Sequence, residues 1–235
     1  MDRQLFRMIA TFGHRKFVEY NNNHWRILKK KRKRAMDIMS DLLLHGLDCI
    51  VYGSVARGDV GEKSDIDIFI PQNVPSYKVE LALECYEIIE KRIVQATPNH
   101  AIKGEIVLEE NTTVSFPLVK MKERELDFYK FGGCLNYNEL LKDKRVAGVD
   151  KRLVLIIPKE RGHEEIPLTD VHPSEVARFL GISIDVVYER IRVLTRRREI
   201  GRTGIFLCEF IPINESFELA LKRIISRNPA IRRRL

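Results

Sequence analysis

The sequence predicts an α/β (α+β) protein, a mixed sheet with helices packed on it, followed by a smaller C-terminal unit of helices and a short strand. Three observations carry the prediction. Short runs rich in valine and isoleucine are bounded by glycine, proline and charged turns, as strands are. Longer segments between them repeat their apolar residues at helical spacing. In the last third, Pro173, Gly181 and Ser183 suit a helical first turn, a C-terminal cap and the N-cap of a second helix.

Taken in order, Trp25 to Leu44 reads as a basic amphipathic helix with Ile27, Ala35, Ile38, Met39 and Leu42 on its buried stripe, ended by His45-Gly46. Leu47 to Tyr52 follows as the first strand, and the next carries Asp65 to Ile70. After Pro71, the spacing of Val79, Leu83, Tyr86, Ile89 and Ile93 predicts a helix from Ser76 to Ala96. Ile102 to Leu108, Thr113 to Val119 and Glu125 to Phe131 read as strands. Gly132-Gly133 and the charged stretch Leu140 to Arg152 mark the passage to a second unit, opened by a buried strand, Leu153 to Ile157. Domains of residues 1–150 and 151–235 are therefore expected. In the second, Val176, Ala177 and Leu180 on one helix can meet Val187, Ile191 and Leu194 on the next, and residues 199–207 form a turn and short strand.

Composition narrows the function. Of 235 residues, 44% are apolar and 31% charged, as in a soluble globular protein. No apolar run approaches the ~20 residues of a membrane span, and Met1 to Tyr20 has no basic-then-apolar pattern, so a cytoplasmic protein without membrane contact is expected. Cys49, Cys85, Cys134 and Cys208 form no Cys-x-x-Cys pair and read as reduced thiols, with Cys49 and Cys85 expected in cores. The scattered histidines exclude a zinc site of recognisable spacing. A net charge of +8 and a pI near 9.3 favour a polyanionic partner, DNA or RNA. The charge is clustered in residues 26–34, 196–198 and 232–234, each of which is otherwise a solvated face. The sequence leaves oligomerisation open.

The most informative stretch is residues 51–70. Gly53 permits a tight turn after an apolar strand, where backbone N–H groups and the Ser54 hydroxyl can cradle phosphates. Asp65 and Asp67, one residue apart on a strand, share a face while Ile66, Ile68 and Ile70 share the other. Two adjacent carboxylates repel, and a divalent cation, Mg²⁺ or Mn²⁺, removes the conflict. A phosphate cradle beside such a pair is equipment for phosphoryl or nucleotidyl transfer. Either half alone reads as an ordinary turn or an exposed strand face.

Gly53-Ser54-x-Ala56-Arg57-Gly58 followed by Ser64-Asp65-Ile66-Asp67 resembles the signature of the DNA polymerase beta-type nucleotidyltransferase superfamily. The resemblance extends over about the first two-thirds of the chain, with its specific motifs confined to Gly53 to Asp67. It implies Mg²⁺ (or Mn²⁺) at Asp65 and Asp67 and a nucleoside triphosphate, ATP being the expected one, at Gly53 and Ser54. Arg57 is either a phosphate contact or an ion-pair partner. Members usually carry a third carboxylate on a later strand; Asp127 is favoured, Glu105 is the alternative, and Glu125 would share the face of Asp127. Residues 167–210 resemble a winged helix-turn-helix, and the whole arrangement resembles archaeal predicted nucleotidyltransferases fused to such a module. The exposed stripe of its second helix is Asp185, Tyr188, Glu189, Arg192 and Arg196; Tyr188, Arg192, Arg196 and the wing residue Arg202 are the candidate nucleic-acid contacts. A structural or protein-binding helix pair is the plainer alternative. The expected function is transfer of a nucleoside monophosphate from a triphosphate to a hydroxyl acceptor linked to nucleic acid. The rival is a DNA-binding regulator or antitoxin whose nucleotidyltransferase fold senses nucleotide or is inactive.

Overall fold

In the computed structural model, which describes residues 15–201 and 204–234, the chain opens with strand β1 (Lys16–Glu19). Helix α1 (Asn22–Leu44) starts where the Asn21 side chain accepts the His24 N–H at 2.8 Å, and it buries Leu28, Arg32, Ala35, Ile38, Met39 and Leu42. Then follow β2 (Ile50–Tyr52), the single-turn α2 (Ser54–Arg57), β3 (Ile66–Phe69), α3 (Ser76–Ala82), β4 (Ile88–Gln95), β5 (Lys103–Leu108) and β6 (Thr112–Pro117). Next come α4 (Glu123–Gly132), β7 (Cys134–Asn136), α5 (Tyr137–Leu141), β8 (Gly148–Val149), β9 (Val154–Lys159) and β10 (Gly162–Pro167). The helix pair α6 (Pro173–Leu180) and α7 (Ile184–Ile200), strand β11 (Leu207–Ile211) and α8 (Phe217–Arg227) complete the described chain with two short 3₁₀ turns.

One sheet has the order β11-β4-β5-β6-β3-β2-β7, with β3 and β6 parallel and the other neighbours antiparallel. The second, antiparallel throughout, has the order β1-β10-β9-β8. On the large sheet, Ile66 and Ile68 of β3 and Ile106 of β5 pack in one core with residues of α1, α3 and α8. On its other face, Tyr129 of α4 stacks on Phe69 at 3.8 Å and meets the edge of Tyr52 at 4.8 Å. The mixed sheet with helices is the expected architecture.

Several expectations change. The helix expected over residues 76–96 ends at Ala82, and residues 88–95 form β4, where Ile88, Ile93 and Val94 are β-branched and Lys91, Ile93 and Gln95 alternate into the core. Ile89 is consequently exposed. The strand expected at Glu125 to Phe131 is α4, which opens with Glu123 and with Glu125, whose carboxylate accepts the Lys122 N–H at 2.7 Å. Cys85 is exposed, whereas Cys49 is buried.

The boundary at residue 150 is crossed twice. Strand β1 pairs with β10, so the N-terminal segment belongs to the second sheet. Strand β11, expected as a wing beside the helix pair, pairs with β4 from Leu207↔Gln95 to Ile211↔Lys91 and covers an edge of the large sheet. Phe217, Ala220, Ile224 and Ile231 then join the first core. The fully buried Lys91 holds this return in place: its ammonium bonds Glu80 at 2.9 Å, the Ile213 carbonyl at 2.9 Å and the Glu215 carbonyl at 2.7 Å. The second core joins Phe131 and Val149 to Leu155, Ile157, Ile166 and Val176, Ala177, Val186 and Val187 of the helix pair.

Candidate active site

Gly53 adopts φ 78° and ψ −144°, a conformation that side-chain-bearing residues rarely take. A Cβ there would meet nothing within 4 Å, so backbone geometry and not space demands glycine. Its N–H bonds the Gly133 carbonyl at 2.9 Å, tying the turn to the end of α4. Helix α2 begins at Ser54, with the first N–H groups of a helix lacking intrahelical partners. Arg57 is buried and forks onto Asp59 through two bonds of 2.9 Å, while its third contact is the Gly132 carbonyl at 2.6 Å. Of the two roles expected for Arg57, the ion pair is the one its geometry realises.

Asp65 immediately precedes β3 and is exposed; Asp67 lies within the strand, half-buried, between Tyr52 on β2 and Thr113 on β6. Burial, reinforced by the Asp65 carboxylate, pushes Asp67 up from the ordinary 3.8 to about 6; Glu105 adds to this and Lys151 and Lys103 oppose it. Both aspartates line one cavity of about 910 Å³ with Tyr52, Gly53, Ser54 and Lys63. The structure thus brings together the turn and the carboxylate pair that the spacing of the motif predicts.

It brings neither candidate third carboxylate to the pair. Asp127, the favoured candidate, lies on a helix and turns toward α7, where its carboxylate accepts the Ser183 N–H at 2.9 Å and a bond from Lys130 at 3.4 Å. Phe128 and Phe131 line the cavity and Asp127 does not, its carboxylate being held by the backbone at the start of α7. Glu105 shares the sheet face of Asp67 but stands two strands away, bonded to Arg92 at 2.6 Å. Among the described residues no group of three acidic, histidine or cysteine side chains forms a metal cluster. Asp127→Ala is expected to leave metal-dependent nucleotide affinity unchanged and to cost about 1 kcal/mol of stability through the lost bond to Ser183, read by urea unfolding. A tenfold loss of that affinity would return Asp127 to the ligand set.

The far wall of the cavity comes from residues whose role sequence reading missed. Gly133 and Gly148 allow the second sheet to approach: a Cβ on Gly148 would stand 2.5 Å from the Gly133 nitrogen, and one on Gly133 would stand 2.9 Å from the Ala147 carbonyl oxygen. This close contact delivers Val149, Asp150, Lys151 and Arg152 to the rim, and α7 adds Arg190, Leu194, Arg197 and Arg198. Their sequence signal was the i, i+4, i+7 recurrence of Arg190, Leu194 and Arg197, opposite to Tyr188, Arg192 and Arg196 on the same helix. Tyr188, Arg192 and Arg196 are exposed on that outer side; Arg202 lies outside the described residues.

The first basic block has likewise an inward part. Arg32 is buried and bonds the Val55 and Ala56 carbonyls of α2 at 3.2 and 3.1 Å, and Lys31 holds the Ser64 carbonyl at 2.6 Å. Both brace the motif from α1.

Residues 32–132 match the family model described as "Nucleotidyltransferase domain", a segment that contains the Gly53–Ser54 turn and both aspartates. No curated protein and no solved structure gives a significant match to the chain. The match spans less than half of the chain, and no helix of the described residues is long and apolar enough to cross a membrane.

Proposed function

We propose that the protein is a Mg²⁺- or Mn²⁺-dependent nucleotidyltransferase that transfers a nucleoside monophosphate from a triphosphate, with ATP the expected donor, to a hydroxyl acceptor associated with nucleic acid. The observation that carries this reading is the opening of Asp65, Asp67, Gly53 and Ser54 onto a single cavity. The donor set fits a hard divalent cation: the two carboxylates offer oxygen only, and burial together with the neighbouring Asp65 charge raises Asp67 to about 6, a cost that a bound cation would offset. Asp65 and Asp67 would hold the metal, which supplies charge stabilisation to the phosphates when bound. The Ser54 hydroxyl and the N–H groups opening α2 orient the triphosphate, and Lys63 on the same rim offsets its charge. The acceptor oxygen bonds the α-phosphorus as the bond to the bridging oxygen breaks, pyrophosphate leaves, and the hydroxyl proton passes to solvent.

Calorimetric titration with a non-hydrolysable ATP analogue should show binding that requires Mg²⁺ or Mn²⁺. Ser54→Ala should weaken the triphosphate by about 0.5–1.5 kcal/mol, or two- to tenfold, and the monophosphate less. Equal losses for both would reduce the turn to a structural feature. A regulator built on the same fold is favoured by one feature, the exposed Tyr188, Arg192 and Arg196 on the outer side of α7. Metal-dependent incorporation of labelled nucleotide into total RNA or protein, against sequence-selective duplex binding without incorporation, separates the two.

A further inference from the structure

The cavity holds more positive charge than a triphosphate at the Gly53 turn would meet. Arg57 and Arg152 are spent on ion pairs with Asp59 and with Asp150 and Glu165. Among the described residues no ion pair engages Lys63, Lys151, Arg190, Arg197 or Arg198. Three of these cations stand on α7, facing the cavity from the wall opposite the motif. The placement is built in through α4, tied to the Gly53 turn at its C-terminal Gly133 and to the start of α7 from its middle, through Asp127 and Ser183. The inner stripe from Arg190 to Arg197 runs about 10 Å along the helix at 1.5 Å per residue, long enough to meet more than one phosphate of a strand.

Arg190 carries a second, independent sign of a missing ligand. Its Nε is buried and has no hydrogen-bond partner among the described residues, and its guanidinium stacks over the Phe128 ring at 4.8 Å. A buried unpaired guanidinium N–H is costly unless an acceptor reaches it. Phe128 lines the same wall and is part-exposed. Cations along a groove interleaved with aromatic faces are what hold single-stranded nucleic acid, the cations on the backbone and the rings against bases.

We infer that the inner face of α7, Arg190, Arg197 and Arg198 with Phe128 of α4, is the acceptor half of the site and holds the hydroxyl-bearing end of a single nucleic-acid strand. This rests on the nucleotidyltransferase reading for the opposite half. The strand's phosphates lie on the arginines and its terminal hydroxyl faces the triphosphate across the cavity. The helix pair thereby serves the site with one face of α7, whatever its outer face contacts.

The test compares two double variants of equal charge change in the full chain: Arg197→Ala/Arg198→Ala on the inner side and Arg192→Ala/Arg196→Ala on the outer. Binding of a short fluorescein-labelled oligoribonucleotide, its deoxy counterpart and a mononucleotide is followed by anisotropy across a salt series. The ATP analogue with Mg²⁺ is titrated separately. The wild type should bind a strand more tightly than the mononucleotide, with a log-log salt slope of about −0.7 per neutralised phosphate. The inner variant should lose about tenfold and flatten the slope by about 1.4, while the outer variant and the ATP analogue change by less than about twofold. The proposal is overturned if no strand binds, if the outer variant loses as much as the inner, or if the inner variant loses ATP analogue and not strand. Failure of the wild type to bind the ATP analogue counts against the nucleotidyltransferase reading instead, and leaves the strand measurement to be read by itself.

Discussion

Asp67→Asn is expected to lower nucleotidyl transfer by about three orders of magnitude or more while making the metal-free protein more stable at neutral pH. The first effect follows from removing one of two carboxylates offered to the cation, whose charge stabilisation of the transferring phosphate is worth several kcal/mol. The second follows from the buried setting of the side chain. Asp67 ionises near 6 in the fold and near 3.8 in an unfolded chain, so between those values the folded state holds the proton more tightly. Its contribution is present below about 4 and is lost as pH rises through 6, leaving a cost of about 2–3 kcal/mol at pH 7.5. Asparagine removes that cost. Urea unfolding without metal should therefore find the variant more stable at pH 7.5 and equal to the wild type near pH 4. Added Mg²⁺ with nucleotide should raise the melting temperature of the wild type and not of the variant. A variant that retains full transfer, or one that is destabilised at pH 7.5, would contradict this account of the site.

Arg32→Met should reduce unfolding free energy by about 2–4 kcal/mol, a large share of a domain's net stability. Arg32 is 3% exposed, and its guanidinium serves the Val55 and Ala56 carbonyls at the end of α2 as well as Asp143 at 2.8 Å. The Asp143 side chain is 88% exposed, so that ion pair adds little. The carbonyls matter more. They are the negative end of a one-turn helix, and without the guanidinium the Val55 oxygen loses its donor in a buried place. Since α2 carries Ser54, nucleotide affinity should fall with stability. Arg32→Lys should not rescue either quantity, because one ammonium cannot reproduce a fork that spans two carbonyls and a carboxylate. Urea unfolding and nucleotide titration of both variants read the two effects, and a stability loss below about 1 kcal/mol would mean that water replaces the guanidinium.

The same residue shows how legibility ran out. Arg32 stands among Leu28, Ala35, Met39 and Leu42 at i, i+4, i+7 spacing, a position that belongs to the buried stripe by period alone. Surrounded by cations in the sequence, it reads as part of a solvated block, and only its partners across the fold reveal the inward turn. Asp127 failed for a different reason. Leu126 and Phe128 alternate as on a strand while Phe128 and Phe131 recur as on a helix, and a strand here would offer as metal ligand the carboxylate that helix α4 directs toward Ser183. Over residues 76–96 helical periodicity coexisted with β-branched residues, and pairing of β4 with β5 and β11 decided for strand.

From sequence alone came what is local: the Gly53 turn, the Asp65–Asp67 pair, the buried alternation of Ile66, Ile68 and Ile70, and the capped pair of helices after Pro173. Each depends on backbone preferences and side-chain period within a few residues, where the chain's covalent geometry is itself the constraint. The tertiary structure decided what depends on partners distant in the chain. It sent β1 and β11 to the sheets opposite to their places in sequence, turned Arg57 to Asp59, and set Arg190, Arg197 and Arg198 across the cavity from the aspartates. Those outcomes are settled by which exposed strand edge is covered and by which glycines admit close approach, quantities that arise only when the two cores meet.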